Sequence, residues 1–351
     1  MPHALTAAPD TAAAGVEAAD TVATARAPDI DFSGPLQPLP EPPVAAAPVA
    51  PDLSGAERLA ERLCATSFAD RAVLCPDPAQ AGRFALETLR AFHQVAGRPK
   101  RTRLIHCAGP YAAPLPLGLA GDAGIDTLAT DDPEAIIGAI TPKTAGILLA
   151  PVRADSPLEV LPGGLLAALR EAADAYGIVL AYDESACGLG RTGMMWAHEW
   201  TGASPDLMIV GAGLAGPAPL SAVLTTAKVA RGARRLPPVD AAALAAGHAR
   251  LDRLTAPGFE AQVQARGWML EDRLALLAHQ HRAVFTGTVG LGLMQGLACV
   301  DDAAPLAAKA AAEGLLTRPL GRVLGLFPAL DVSEEEIDAA AAILARIAAT
   351  V

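Results

Sequence analysis

The chain has 351 residues, enough for a large core and for more than one domain. Its residues are 52% hydrophobic and only 4% aromatic, and 38 acidic against 27 basic side chains leave a net charge of −11. That balance argues against a nucleic-acid partner, and the scattered cysteines, with no CxxC pair, argue against a zinc site or disulfide framework and fit a reducing cytoplasm.

Residues 1–52 are rich in Ala, Pro, Asp and Val, with Pro38, Pro40, Pro42, Pro43, Pro48 and Pro51 clustered near the end. Such a segment buries too little to offset its ordering entropy, so a disordered tail is expected. It lacks the basic region and hydrophobic core of a secretion signal. No apolar stretch in the chain reaches membrane-helix length without Gly, Pro or charge, so no membrane partner is expected.

From Ser54 the pattern changes. Residues 56–65 read as a helix, Arg71–Cys75 as a strand, and 79–95 as a helix with Phe84, Leu86, Leu89 and Phe92 as its apolar positions. Leu104–Cys107 is a candidate strand, and Asp131-Asp132-Pro133 a helix start with Pro in the first turn. Ala145–Leu149 and Ile178–Tyr182 are continuous apolar runs of the kind buried parallel strands require, with a helix over 163–176 between them. Leu207–Val210 and Ala222–Thr225 complete an alternation that predicts a doubly wound parallel sheet in a larger domain, 53–238. A smaller α/β domain, 239–351, is expected to follow, with helices over 239–254 and 258–280, strands over 283–288 and 293–300, a helix over 303–313, short strands around 315–326 and a last helix over 333–348. Ser333 with Glu336 marks the start of that last helix.

The run Asp183-Glu184-Ser185-Ala186-Cys187-Gly188-Leu189-Gly190-Arg191-Thr192-Gly193, followed by Trp196 and Glu199, resembles the signature of the class III, fold-type I, pyridoxal-phosphate aminotransferases, the group containing acetylornithine aminotransferase. Ile140–Leu149, Leu165–Asp174, Pro205–Leu214, Gly290–Gly296 and Phe327–Leu330 follow in the family's order, so the resemblance covers roughly residues 54–350. It implies a large domain with a mainly parallel sheet, a small C-terminal α/β domain and a dimer with composite active sites. The chain is short for the family, with stretches near residues 121–125 and 232–240 read as deleted.

The resemblance also assigns positions. Asp183 stands where the family's acid meets the pyridine nitrogen. Ser185 and Ala186 replace residues that pack on the ring, and Asp77-Pro78-Ala79-Gln80 replaces the phosphate-binding helix start. Tyr111 is the remaining candidate for a stacking ring, and Gly325 stands at the substrate-binding arginine, three residues after Arg322. The Schiff-base lysine position is Ala212, and residues 201–227 contain no Lys or His. Pro78 has no backbone N–H to offer an anion, and Asp77 can cap the helix with its own carboxylate. The expectation is therefore a non-catalytic homologue with no cofactor, although the family resemblance implies pyridoxal phosphate. It would act as a structural or regulatory subunit, a homodimer or a heterodimer with an active class III relative. A pyridoxal-phosphate-dependent, acetylornithine-like aminotransferase or altered B6 enzyme, and a metabolite-binding module, stay open.

Two other motifs compete. Gly211-Ala212-Gly213-Leu214-Ala215-Gly216 fits GxGxxG after an apolar run. However, Pro217 and Pro219 follow where a helix should open, and no acidic residue occurs from 217 to 239. Ser185, Cys187 and His198 are close in sequence, but nothing sets a base beside either nucleophile. Cys187 reads as a small buried residue. Glu184 is assigned a structural bond in the turn, with Arg191 as its candidate partner.

Overall fold

The computed structural model describes residues 30–33, 53–155, 157–216, 218–233 and 239–350. A short strand, β1 (Ile30–Asp31), comes first. Then α1 (Leu53–Ala65), β2 (Arg71–Cys75) and α2 (Pro78–Val95) lead to β3 (Arg103–Cys107), β4 (Ile125–Leu128), α3 (Pro133–Gly138) and β5 (Thr144–Leu149). A hairpin, β6 (Val152–Ala154) and β7 (Leu158–Val160), precedes α4 (Gly163–Tyr176), β8 (Val179–Asp183), β9 (Leu207–Val210) and β10 (Ser221–Thr225). Next are α5 (Ala227–Ala230), α6 (Ala241–Leu254), α7 (Phe259–Gln280), β11 (Phe285–Leu291), β12 (Met294–Cys299) and α8 (Ala304–Ala312). The chain closes with β13 (Leu315–Leu316), β14 (Arg318–Leu320), β15 (Val323–Leu326) and α9 (Glu334–Ala348).

A seven-stranded sheet runs in the order β2-β10-β9-β8-β5-β3-β4. Strands β4, β3, β5, β8 and β9 are mutually parallel. β10 is antiparallel to both β9 and β2, so the sheet is mainly parallel, as expected, with its antiparallel pairings at the β2 edge. The reason is length: the described residues between Val210 and Ser221 hold only a 3₁₀ turn, and the connection is too short for a crossover helix.

All of β5 is buried, because helices cover both sheet faces. On one face Ile105, Ile147, Leu180 and Met208 pack with Leu165 and Leu169 of α4. On the other, Leu104, Leu148, Ala181 and Ile209 pack with Phe84 and Leu89 of α2. Burying a side chain of that size stabilises the fold by about 1.5–3 kcal/mol. A second, antiparallel sheet of order β11-β12-β15-β14 lies in the C-terminal region, packed against α7 and α8, with α9 in turn packed on those two helices. Ser333 and Glu336 form the capping box at the start of α9.

The disordered tail expected over residues 1–52 does not hold at Ile30–Ser33; the rest of it lies outside the described residues. β1 runs parallel to β13, and Phe32 is 2% exposed. Phe32 N–H donates to the Leu316 carbonyl at 2.8 Å, and Phe327 N–H to the Phe32 carbonyl at 2.9 Å. One large apolar side chain and a few backbone bonds fix a segment that composition alone assigns to disorder. No helix among the described residues is long and apolar enough to cross a membrane.

Candidate functional site

The carboxyl ends of β5 and β8 open onto a cavity of about 190 Å³, lined by Pro78, Asp155, Asp183, Ser185, Ala186 and Ile209 among others. This is where open α/β sheets hold their ligands. Asp183 is the last residue of β8 and sits opposite Ile209 of β9. Its Oδ1 accepts from Ser185 N–H at 3.0 Å. Burial raises its pKa, against the lowering effect of the Ser185 hydrogen bonds, and the charges of Asp155 and Glu184 push it further up. Asp155, exposed in the loop after β6, has its pKa raised by partial desolvation, which outweighs the lowering pull of Arg318.

The turn after Asp183 is held from below. A Cβ at Gly211 would lie 2.6 Å from the Ser185 carbonyl oxygen, so only glycine lets β9 run this close to the signature loop. Ala212 begins the 3₁₀ turn Ala212–Leu214 that follows. The GxGxxG run therefore opens no dinucleotide-binding helix. Glu184, 1% exposed, accepts from Ala197 N–H at 2.6 Å, His198 N–H at 3.0 Å and His198 Nδ1 at 2.7 Å. His198, not the expected Arg191, is thus its partner. Arg191, 2% exposed, donates instead to the Pro328 carbonyl, and burial with the nearby Arg250 charge pushes its pKa down to about 9. Cys187 is fully buried and burial holds its thiol well above the ordinary range, so it is no nucleophile.

At the other wall, α2 caps itself. Asp77 Oδ1 accepts from Gln80 N–H at 2.7 Å and its Oδ2 from Gln80 Nε2 at 3.0 Å, with Pro78 in the first turn. A strap over residues 115–119 lies on this helix end. A Cβ at Gly82 would fall 2.2 Å from the Leu117 carbonyl oxygen, and one at Gly118 2.1 Å from that of Ala79. Leu115, Pro116 and Leu117 then wall the cavity beside Pro78.

The structure thus brings Asp183, Ser185, Ala186 and Pro78 to one cavity, while Asp77, the N-cap of α2, and Ala79 flank Pro78 without lining it. It does not bring Tyr111 there. Tyr111 is 59% exposed and lines a separate groove of about 610 Å³ with Pro157, Glu159 and Arg322, away from the cavity where a stacking ring was expected. Arg322 is likewise away from the cavity and donates to the Val300 carbonyl. Lys228 sits over the Phe92 ring, 5.6 Å from its centroid, against α2. Asp155 and the strap at 115–119 also wall the cavity, though no sequence motif marks them. Nothing in the local pattern flags either, since both reach the cavity only through the hairpin and the glycine contacts.

Against pyridoxal phosphate, the ring end fits: a half-buried carboxylate at the strand end and small walls at Ala186 and Ala150 suit a flat heterocycle. The phosphate end offers a helix start already occupied by its own carboxylate.

A family model described as aminotransferase class-III matches residues 113–348. Acetylornithine aminotransferase of Mesorhizobium japonicum is 33% identical over 305 residues, 82% of this chain and 76% of that protein. Acetylornithine aminotransferase 1 of Bradyrhizobium diazoefficiens is 34% identical over 317 residues, 84% of this chain and 78% of that protein. Among solved structures, N-acetylornithine aminotransferase from Stenotrophomonas maltophilia superposes with a TM-score of 0.72 at 27% identity, covering 86% of this chain and 80% of that one. An ornithine aminotransferase from Toxoplasma gondii, with partial occupancy of PLP at its active site, matches in fold with a TM-score of 0.76 at 21% identity, covering 86% and 78%. These relationships overturn the expectation of a chain without a cofactor, because membership in this family points to pyridoxal phosphate binding. The chain belongs to the class-III aminotransferase family, with the fold-type I architecture and a relationship to acetylornithine and ornithine aminotransferases.

Proposed function

We propose that this chain is an acetylornithine-aminotransferase-like protein that binds the B6 ring without a covalent tether and carries an altered B6 activity. The observation behind this reading is the half-buried Asp183 carboxylate, which lines a cavity at the sheet's carboxyl edge. Pyridoxal phosphate, when bound, supplies an electron-accepting ring. Asp183 would hold the proton of the ring nitrogen, and Ala186 and Ile209 would flank the ring. Ala212 has no amine to link to the cofactor or to carry a proton. Among the described residues lining the cavity, Asp155 is the other side chain able to take one.

The test is retention of the chromophore. The native chain should take up pyridoxal phosphate and release it on dialysis, whereas Ala212→Lys should retain it. A native chain that keeps a stoichiometric, dialysis-resistant chromophore contradicts the untethered reading. One that takes none up contradicts cofactor binding.

A second reading is a non-catalytic subunit that pairs with a copy of itself or with an active class III relative. Ala212 favours it, since a chain without the reactive amine can still contribute the fold. Recovery of the native protein alone, with no related subunit, counts against the mixed assembly.

A further inference from the structure

The cavity's charge goes further than its shape. Asp155 and Asp183 are the ionisable side chains among the described residues that line it, and both are acidic. The basic group acting on Asp155 is Arg318 of β14, which lies outside the lining. The positive end of α2, whose first residue Pro78 lines the cavity, is capped by Asp77. Pro78 removes a donor from the first turn. The Gly82 and Gly118 contacts fix the strap over that turn, so the capped helix start cannot open without moving Leu117 off it.

We infer that this cavity recognises the pyridine ring of a B6 compound and gives its phosphate group no grip, so that the chain binds the unphosphorylated amine and its phosphate ester about equally. The inference rests on the cavity being the B6 site. Asp77 is then the residue that sets indifference to phosphate. Its carboxylate competes with the ester for the same backbone donors and repels a second negative charge nearby.

The experiment is equilibrium dialysis of the full chain against pyridoxamine and pyridoxamine phosphate. Neither carries an aldehyde, so neither reacts with Lys100, Lys143, Lys228 or Lys309. The two dissociation constants are expected within roughly threefold of each other, a difference under about 1 kcal/mol. Asp77→Ser keeps a capping hydroxyl and should bind the phosphate ester about tenfold tighter, with pyridoxamine unchanged. Asp77→Asn keeps the cap with no charge and should move in the same direction, which guards against a Ser variant that fails to fold. Tighter binding of the ester than of the amine by the native chain, by about a hundredfold, overturns the inference while leaving the cavity's assignment standing. Loss of binding for both compounds overturns the assignment itself. Asp77 variants that leave the ester's affinity unchanged overturn the role given to Asp77.

Discussion

The Glu184 carboxylate receives the His198 ring Nδ1 at 2.7 Å, deep in the turn that follows the cavity strand. The same carboxylate takes the N–H groups of Ala197 and His198, so it holds both ends of the loop 184–198. Three donors converge on one buried side chain.

Removing it should therefore cost more than an ordinary core substitution. Glu184→Ala is expected to destabilise the chain by about 3 kcal/mol, since it strands buried donors with no replacement. A urea titration measures this, and a loss below about 1 kcal/mol would contradict the role. Glu184→Gln, which keeps acceptor oxygen but loses charge, should cost less.

Gly82 and the strap make a second prediction. Gly82→Val places atoms where the Leu117 carbonyl stands, so the strap must lift from α2. Faster hydrogen exchange or proteolysis across residues 113–120 is the expected result. Unchanged protection of that segment in a folded variant would show that the contact is not what holds it.

A third concerns acid stability. His106 on β3 is 4% exposed, and burial with the nearby Arg153 charge pushes its pKa down to about 4. The unfolded chain takes up this proton near the ordinary histidine value of about 6.5, before the folded one does. Stability is present above that value and falls as pH drops from about 6.5 toward 4, by on the order of 2–3 kcal/mol from this group. His106→Leu should flatten that limb of the stability curve. Equal slopes in the two proteins would place the titration elsewhere.

The arm at β1 gives a fourth. Phe32 is held between β13 and the backbone at Phe327, so Phe32→Ala should cost about 3–5 kcal/mol in a denaturant titration. A cost below about 1 kcal/mol would mean that the arm is not part of the folded core.

Much of the sheet was legible because its signal is local. The apolar runs at Leu207–Val210 and Ala145–Leu149 can sit only inside a sheet covered on both faces, and they do. Asp183 and the capping of α2 by Asp77 could be read the same way, one from its place at a strand end and the other from Asp-Pro before an apolar periodicity. What sequence could not show depends on contacts distant along the chain. The direction of β10 is set by a short connection, and Phe32 is fixed by residues near 316 and 327. Tyr111 looked like the pocket's aromatic ring because its neighbours aligned with one, yet its loop turns it to another groove. Glu184 chose His198 over Arg191 because the 3₁₀ turn Ala197–Trp200 presents two N–H groups and an imidazole together.

Asp183 is the group proposed to meet a B6 ring, and every role given to the cavity depends on it. Equilibrium binding of pyridoxamine phosphate to the native chain and to Asp183→Asn tests it directly. Saturable binding that weakens by about tenfold or more in the variant is the predicted result, the loss expected when a charge-assisted hydrogen bond becomes a neutral one. No saturable binding by the native protein, or equal affinity in the two, would contradict it.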